Sequence, residues 1–502
     1  MVSASARLLD RRSVSSSTGA NGKAPNAQSG VRKKREKRAT SGVAVGDLLQ
    51  PASLPMRALE GVRSFFHATV GGELLSLYTP SSVAATRKHV IAVEGAKFAN
   101  TAELDVGRAF ASLCAEGNRR GYNAAGLIYI QALMEQGARV RYQVYEHIAR
   151  NPRVALEETL PPVFVVGLPR TGSSHLHALL STDPATATTK LWEMMEPLPL
   201  CQPGSMRYSA RLAGLKLKKS AMAILAPGWN AACDKFHRVA MDSPEEEAVA
   251  LAGCGVSIMP FVCVGGAGTA YEDLHCDPTS KRAAFRFLRR FLQLLEWRRH
   301  GEGLSCAGAA PKPRGEGAGA ERGPARWLLK SHYNVLWMDT VLEEFPGAKV
   351  VITVRDPAEV IQSFLSYAVT NLSFVADGKD AVKIARAHAT AAYSYLTNVS
   401  QELAHLHRRL KGKGCRVSVA RYDTLVTDPE LCMRRIYADL DLPLDQVTLE
   451  CARAYLSQSK QHSLGAPLKM DIGEIGITPE KVARDFKEYR EELLEGTAAD
   501  GS

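Results

Sequence analysis

The sequence predicts an α/β fold in which a mainly parallel sheet is flanked by helices. Four short runs of β-branched and other apolar residues are typical of strands buried on both faces: "PPVFVVG" from Pro161, "ARWLLKS" from Ala325, "AKVVITVRDP" from Ala348 and "CRVSVARYDTL" from Cys415. Helical stretches separate the runs, and strands that alternate with helices form parallel sheets covered on both faces. A glycine-containing loop joins the first run to a helical pattern, which gives a strand–loop–helix unit.

The chain is expected to begin with a tail that does not fold alone. Residues 1–45 are rich in Ser, Ala, Gly and Arg and poor in acidic and aromatic residues, so they offer too little apolar surface for a core. Three interpretations stay open: a disordered tail, an organelle transit peptide, which the composition suits, and a nuclear signal in "RKKREKR". The protein is therefore expected in the cytoplasm, or in an organelle if the tail is a transit peptide.

Two further segments complete the predicted organisation. Residues 46–155 are expected to form a helical region that packs on the core, because apolar residues recur there at three- and four-residue steps. Residues 156–500 are expected to form the main α/β domain. Within it, residues 301–325 are rich in Gly, Ala and Pro and lack a period, which is typical of a flexible surface insertion.

Charge and cysteine usage exclude several classes of protein. The net charge of the 502-residue chain is +11, but ten Lys/Arg and three acids give the first 50 residues +7, which leaves +4 for the rest. A nucleic-acid-binding core is therefore not expected. The ten cysteines form no CxxC and no Cys/His ligand spacing, so neither a disulfide framework nor a metal site is expected. No window has the roughly 18 uninterrupted apolar residues of a transmembrane span.

The loop after the first strand has the pattern of a phosphate cradle. Gly167 and Gly172 are separated by four residues, and Ser173 and Ser174 follow at the start of the helix. Backbone N–H groups and the positive end of the helix favour an anion there; a plain strand-to-helix turn is the alternative. In triphosphate-binding loops a lysine follows the second glycine and reaches the β- and γ-phosphates. Because Ser173 takes its place here, the loop suits a single phosphate, with Arg170 beside it, better than a triphosphate.

This loop, "VFVVGLPRTGSSHLHALLSTDP", resembles the phosphosulfate loop of sulfotransferases, the enzymes that use 3′-phosphoadenosine 5′-phosphosulfate (PAPS) as their sulfuryl donor. The resemblance is to the broad branch that includes bacterial and protein-tyrosine sulfotransferases, and it extends over residues 140–495. It implies a P-loop-type fold and a metal-independent enzyme. In this loop the donor-binding residues that it implies are Arg170, Thr171, Gly172, Ser173 and Ser174.

Three further motifs follow in the order that the family shows. "KVVITVRDPAEVIQSFLSY" brings Arg355 to the end of a strand and Ser363 to the next helix, where the resemblance implies that they bind the 3′-phosphate of the donor. An arginine and a hydroxyl in that arrangement can converge on one dianion. "WLLKSHYNVLWMDTVLEEF" supplies Lys330, although many relatives have proline where this chain has His332. "ARYDTLVTDPEL" supplies Tyr422, which the resemblance places near the donor nucleotide.

The resemblance implies transfer of a sulfuryl group to a hydroxyl or amine of an acceptor. Arg170 and Lys330 suit the charge that develops on the leaving phosphate. Glu193 resembles the catalytic glutamate of tyrosine sulfotransferases and is the candidate general base, with a solvent-facing glutamate near a helix start as the alternative. His175 and His177 follow the loop on the predicted helix, a position that favours packing roles. They are the next candidates for the base.

Three consecutive acids, Glu245, Glu246 and Glu247, follow Ser243 at a predicted helix start. Acids there complement the helix dipole, which is a sufficient structural reason for them. Selection of a cationic acceptor is the alternative interpretation.

Two other functions stay open. A P-loop kinase-like phosphotransferase would need Mg²⁺ and, preferably, the loop lysine that the sequence lacks. A catalytically inactive binding protein on the same scaffold would have little reason to keep the candidate catalytic set. A small molecule or a glycan is the expected acceptor, but no pattern identifies it or decides between O- and N-sulfation. A homodimer is left open.

Overall fold

The computed structural model describes residues 42–49, 54–60, 81–96, 119–120, 122–236, 240–254, 277–301, 325–376, 380–458 and 468–496. The tail up to residue 41 lies outside the described residues. The predicted insertion also does, apart from Gly301 and Ala325. Whether residues 46–155 form one helical region stays a prediction, although 54–60, 81–94 and 124–150 are helical.

Within the described residues, five parallel strands form one sheet, in the spatial order β2-β3-β1-β4-β5. The strands are β1 (Leu160–Gly167), β2 (Thr186–Thr188), β3 (Arg326–Lys330), β4 (Lys349–Val354) and β5 (Val417–Arg421). The predicted α/β fold with a parallel sheet is therefore confirmed, and the four apolar runs are β1, β3, β4 and β5. The short edge strand β2 was not predicted, because "TAT" carries no apolar run.

The sheet register brings the carboxyl ends of four strands to one edge. Val165 pairs with Lys330, Gly167 pairs with Thr353, and Val354 pairs with Arg421. Ligands of open parallel sheets bind outside this edge. The loops that carry the motifs of the sequence start here.

Alternate residues of β1 enter two different cores, as expected for a strand buried on both faces. Phe164 and Val166 belong to the larger core, whereas Val163 and Val165 belong to a smaller core on the opposite face.

Helices cover both faces of the sheet. They are α1 (Val45–Leu48), α2 (Ser81–Glu94), α3 (Ala124–Arg150), α4 (Ser173–Leu180), α5 (Leu191–Met195), α6 (Met206–Leu225), α7 (Pro227–Phe236), α8 (Ala248–Leu251), α9 (Pro278–Arg299), α10 (Met338–Glu344), α11 (Pro357–Leu372), α12 (Ala381–Gly412), α13 (Tyr422–Thr427), α14 (Pro429–Asp439), α15 (Gln446–Gln458), α16 (Pro479–Asp485) and α17 (Lys487–Tyr489). Short 3-10 turns run from Pro152 to Leu156, Ala252 to Cys254, His332 to Trp337 and Ile472 to Ile475, and a π turn spans Arg490–Glu495. Among the residues described, no helix is long and apolar enough to span a membrane.

Residues 43–48, at the predicted boundary of the tail, contact the rest of the protein. Val43 pairs with Met470, and its backbone N–H donates to Lys469 O at 2.7 Å. Val45 and Leu48 are buried in the larger core. The predicted boundary of the tail at residue 45 stays a prediction, and residues on both sides of it contact the main domain.

Candidate functional site

The loop between β1 and α4 needs glycine at two positions. Gly167 has φ 152°, and a Cβ there would lie 2.4 Å from Thr353 Oγ1. Gly172 has φ 85°, and a Cβ there would lie 2.8 Å from Tyr422 Cδ2. Both contacts are too close for any side chain, so the loop can pass tightly over β4 and α13 only with glycine. Arg170, between them, adopts a left-handed φ of 69°, which is uncommon for a residue with a side chain.

Thr171 fastens this loop to the neighbouring strand. Its buried hydroxyl donates to Leu168 O at 2.7 Å and lies 2.6 Å from Thr353 Oγ1. Thr353 in turn hydrogen bonds to Val166 O. The side chain of Thr171, predicted to bind the donor, therefore shapes the loop, whereas Gly172, Ser173 and Ser174 line the adjacent cavity.

The structure brings together the two arginines and the serine that the motifs predict. Arg170 Nε donates to Ser363 Oγ at 3.2 Å, and Arg355 Nη1 donates to Arg170 O at 3.0 Å. The Arg355 guanidinium also lies over the Tyr422 ring, 3.9 Å from its centroid. Its other edge is paired with Glu359, at 3.0 and 2.7 Å. Residues from the β1–α4 loop, β4, α11 and α13 thus form one cationic group.

Tyr489 is a member of this group that the sequence did not suggest. Its hydroxyl accepts from the backbone N–H of Arg355 at 3.2 Å and lies 3.3 Å from Arg355 O. It therefore holds the backbone from which Arg355 extends. No local pattern marks a tyrosine 134 residues away as its partner.

Lys330, at the end of β3, connects the loop to the acidic segment. Its Nζ lies 3.1 Å from Ser174 Oγ, 2.7 Å from Glu246 Oε1 and 3.9 Å from Glu245 Oε1. Burial, the largest single effect, would raise the pKa of Glu246, but the charge and hydrogen bond of Lys330 together with His332 outweigh it and the pKa is lowered. The same pairing raises the pKa of Lys330 against the effect of its burial. Both groups are therefore charged at neutral pH.

Glu247 holds the backbone of the same lysine. Its carboxylate accepts from Lys330 N at 2.9 Å and from Asn334 Nδ2 at 2.5 Å. The side chain is fully buried, and burial raises its pKa to about 7. Glu245 and Glu246 thus lie at the ammonium of Lys330, and Glu247 lies at its backbone N–H. These contacts give the three acids a role besides the predicted interaction with a helix dipole.

His332, two residues after Lys330, faces the cavity with a defined tautomer. Its Nδ1 lies 3.2 Å from Gly167 O, and because a carbonyl only accepts, Nδ1 carries the proton. Nε2 then has a lone pair in the neutral ring, and it lies 3.5 Å from Glu246 Oε1. Burial lowers the pKa of His332 to about 4, so the ring is neutral at pH 7. The only sequence signal for His332 was its position directly after the Lys-Ser pair that follows the apolar run of β3.

The structure does not bring Glu193 to the cavity. It is buried on α5, where it caps the helix by accepting from Lys190 N at 2.8 Å, and its other oxygen is paired with buried Arg298. Its neighbours Leu191, Met194 and Met195 line the cavity instead. Its role as general base stays a prediction, and this arrangement favours a structural role.

The two loop histidines have different surroundings. His177 is buried, with Nε2 3.2 Å from Leu328 O, and burial lowers its pKa to about 4. This fits the expected packing role. His175 lines the cavity and lies beside the Tyr455 ring, with 6.3 Å between centroids.

All these elements surround one cavity of about 540 Å³. Arg170, Ser173, Ser174, Arg355 and Tyr422 line its polar half. The remainder is lined largely by apolar side chains from five helices, among them Leu133, Met194, Met195, Phe236, Val249 and Phe364. Glu246 and His332 also line the cavity. Within the described ranges, no group of three or more His, Cys, Asp or Glu side chains could hold a metal ion.

Known proteins resemble this chain in sequence and in fold. The family model described as the Sulfotransferase family matches residues 161–260 and 314–446. The crystal structure of sulfotransferase STF9 from Mycobacterium avium is similar with a TM-score of 0.59 and 19% identity, covering 82% of this chain and 96% of that one. Sulfotransferase STF1 from Mycobacterium tuberculosis H37Rv gives the same score and identity, covering 82% of this chain and 99% of that one. These two similarities establish the fold. No curated protein matches the chain.

Proposed function

We propose that this chain, which belongs to the sulfotransferase family, transfers a sulfuryl group from PAPS to a hydroxyl or amine of a small-molecule acceptor. The observation that carries the proposal is the convergence of Arg170 and Arg355 on one cavity at the carboxyl edge of the sheet, where buried Lys330 lies 3.1 Å from Ser174, which lines the same cavity. Three cations at the N-terminus of α4 form a site for a ligand that carries several phosphate or sulfate groups.

The chemistry of these residues fits PAPS. The loop from Gly172 to Ser174, at the positive end of α4, would hold its 5′-phosphosulfate, and Arg355 with Ser363 would hold its 3′-phosphate. Tyr422 supplies an aromatic face beside Arg355. When bound, PAPS supplies the activated sulfuryl group.

Lys330 and Arg170 would stabilise the charge that develops on the leaving phosphate. Lys330 Nζ is positioned by Glu246 and Ser174, two residues that line the cavity. Burial lowers the pKa of Arg170, but not enough to remove its charge at neutral pH. Fixed cations in a site that excludes water act more strongly than they would in water.

We assign the acceptor's proton to His332. Its Nε2 is the basic atom of a neutral ring whose other nitrogen is held by Gly167 O. Glu246, 3.5 Å away, would stabilise the imidazolium that forms. The low pKa, which already includes the favourable effect of the Glu246 charge, makes His332 a weak base before the reaction.

The apolar half of the cavity supports a small molecule with an apolar body as acceptor. The amides there are already engaged within the protein: Gln136 donates to Met195 O, and Asn371 donates to Tyr367 O at 3.1 Å. A glycan would need partners for its many hydroxyl groups.

Binding of 3′,5′-diphosphoadenosine, measured by calorimetry with and without Mg²⁺, tests the donor site. We expect binding that does not require Mg²⁺. Binding of ATP only as its Mg²⁺ complex would support the kinase-like alternative. Donor binding with no sulfuryl transfer to any acceptor, scored by mass spectrometry on a mixed extract, would support the inactive scaffold.

Replacing His332 by asparagine tests the base. The amide N–H₂ of asparagine can replace Nδ1–H at Gly167 O, but nothing replaces Nε2. We expect transfer to a simple alcohol to fall about 10²–10⁴-fold while donor affinity is kept. A nitrophenol that is already ionised at the assay pH should lose less than about tenfold, because it needs no base. Equal losses for both acceptors would remove His332 from this role.

A further inference from the structure

We propose that α6, Met206–Leu225, is a docking surface for anionic lipid membranes. The helix presents an apolar stripe to solvent. Met206, Leu217 and Ile224 are 91%, 71% and 74% exposed. They lie 11 and 7 residues apart, which places them on one face of a helix with 3.6 residues per turn. Ala213 is exposed on the same face.

The opposite face of α6 anchors the helix to the protein. Leu212 and Leu215 are buried in a small core with Trp192, and the Tyr208 ring contacts Trp192 edge-on at 5.3 Å. The exposed stripe is therefore not the packing face of the helix. A large apolar side chain exposed alone needs no explanation, but three aligned on one face do.

The charge of α6 identifies the kind of surface that it fits. The helix contains five basic residues and no acid: Arg207, Arg211, Lys216, Lys218 and Lys219. Arg207 and Lys216 are exposed and lie on the two flanks of the stripe. An exposed apolar stripe between basic flanks is the pattern of a helix that lies in the interface of an anionic membrane.

Other occupants fit less well. Two copies of this face would bring like charges together, which opposes a dimer through α6. A nucleic acid would use the basic residues but would leave the apolar stripe in water. Anionic lipid satisfies both features, because headgroups can pair with exposed Arg207 and Lys216 while the acyl boundary takes the stripe. Lys218 and Arg211 are already engaged within the protein, with Glu196 and with Pro199 O.

The position of α6 gives the surface a use. Tyr208 of α6 contacts Trp192, which lies on α5. The same helix α5 supplies Met194 and Met195 to the apolar half of the cavity. The membrane surface would thus lie one helix away from the acceptor side. An acceptor that partitions into lipid would be concentrated there.

Flotation of the full-length protein with vesicles tests the proposal. We expect binding to phosphatidylcholine vesicles with about 30% phosphatidylserine that weakens with salt, and little binding to phosphatidylcholine alone. Since residues 1–50 are also basic, the informative result is the difference between variants of the full chain. Leu217→Gln with Ile224→Gln should reduce binding at least about tenfold, whereas Ile128→Gln, 43% exposed on α3, should leave it unchanged.

A second variant separates the contribution of charge to vesicle binding from that of the apolar stripe. Arg207→Gln with Lys216→Gln should weaken binding to anionic vesicles and reduce its salt dependence. All variants should keep wild-type affinity for 3′,5′-diphosphoadenosine, so failure here is distinct from failure of the proposed function. Unchanged vesicle binding in the Leu217/Ile224 variant would overturn the proposal. Binding to polyglutamate with the same sensitivity would indicate an acidic protein partner instead, and a wild-type dimer lost in this variant would indicate a second copy.

Discussion

Replacing Glu247 by glutamine should make the protein relatively more stable as the pH rises. The Glu247 carboxyl is fully buried between Lys330 N and Asn334 Nδ2, and burial raises its pKa from 4.5 to about 7. Between these values the folded protein holds a proton that the unfolded chain has released. Stability contributed by the neutral carboxyl is therefore complete below pH 4.5 and is lost as the pH rises to about 7.

The size of the effect follows from the shift. Each pKa unit corresponds to about 1.4 kcal/mol, so this shift corresponds to about 3 kcal/mol of unfolding free energy. Glutamine keeps one oxygen, which can accept from Lys330 N or from Asn334 Nδ2 but not from both, because each donor bonds to a different oxygen of Glu247. That loss does not depend on pH, and glutamine cannot ionise. The difference in stability between Glu247→Gln and wild type should therefore grow in favour of the variant by about 3 kcal/mol from pH 4.5 to 7, then stay constant.

Urea unfolding of both proteins at a series of pH values measures this difference. Taking the difference cancels groups that titrate alike in both proteins. Glu343→Gln is the matched control, because that carboxyl is 57% exposed and pairs only at the surface, with Arg282; its effect should stay within about 1 kcal/mol. A Glu247→Gln difference that does not change with pH would refute the assignment of a neutral buried carboxyl.

Three further predictions concern the cationic group, Glu193 and the N-terminus. Arg355→Ala should weaken binding of 3′,5′-diphosphoadenosine about 10- to 150-fold by calorimetry, since a charge-assisted contact is worth about 1.5–3 kcal/mol. Unchanged affinity would remove Arg355 from the site. Glu193→Gln should lower stability by about 3–5 kcal/mol because it leaves buried Arg298 without its carboxylate. A hundredfold slower transfer by a fully folded variant would instead restore Glu193 as base. Deleting residues 1–41 should leave the melting temperature unchanged. Deleting 1–49 should lower it by several degrees, because it removes buried Val45 and Leu48, worth about 1.5–3 kcal/mol each. Equal melting temperatures of the two truncations, by scanning calorimetry, would contradict this.

The strands and the glycine loop after β1 could be predicted from the sequence because their signals are local. A strand buried on both faces needs a continuous apolar run, and β1, β3, β4 and β5 each have one. The loop from Gly167 to Gly172 needs glycine where the backbone turns and passes close to β4 and α13. Strand β2 could not be predicted from the sequence, because three residues at the edge of a sheet can pair without an apolar run.

The partners of the charged residues were decided only by the tertiary structure. A carboxylate has the same sequence signature whether it faces a substrate, caps a helix or neutralises a buried cation. Glu193 meets Arg298 because α5 and α9 pack together, 105 residues apart in the chain. Glu246 meets Lys330 because the segment before α8 reaches the end of β3. Sheet register places His332 beside Gly167 O, and that contact fixes which ring nitrogen carries the proton. Coulomb energy and desolvation depend on distance and burial, so the roles of these side chains appear only when the chain is folded.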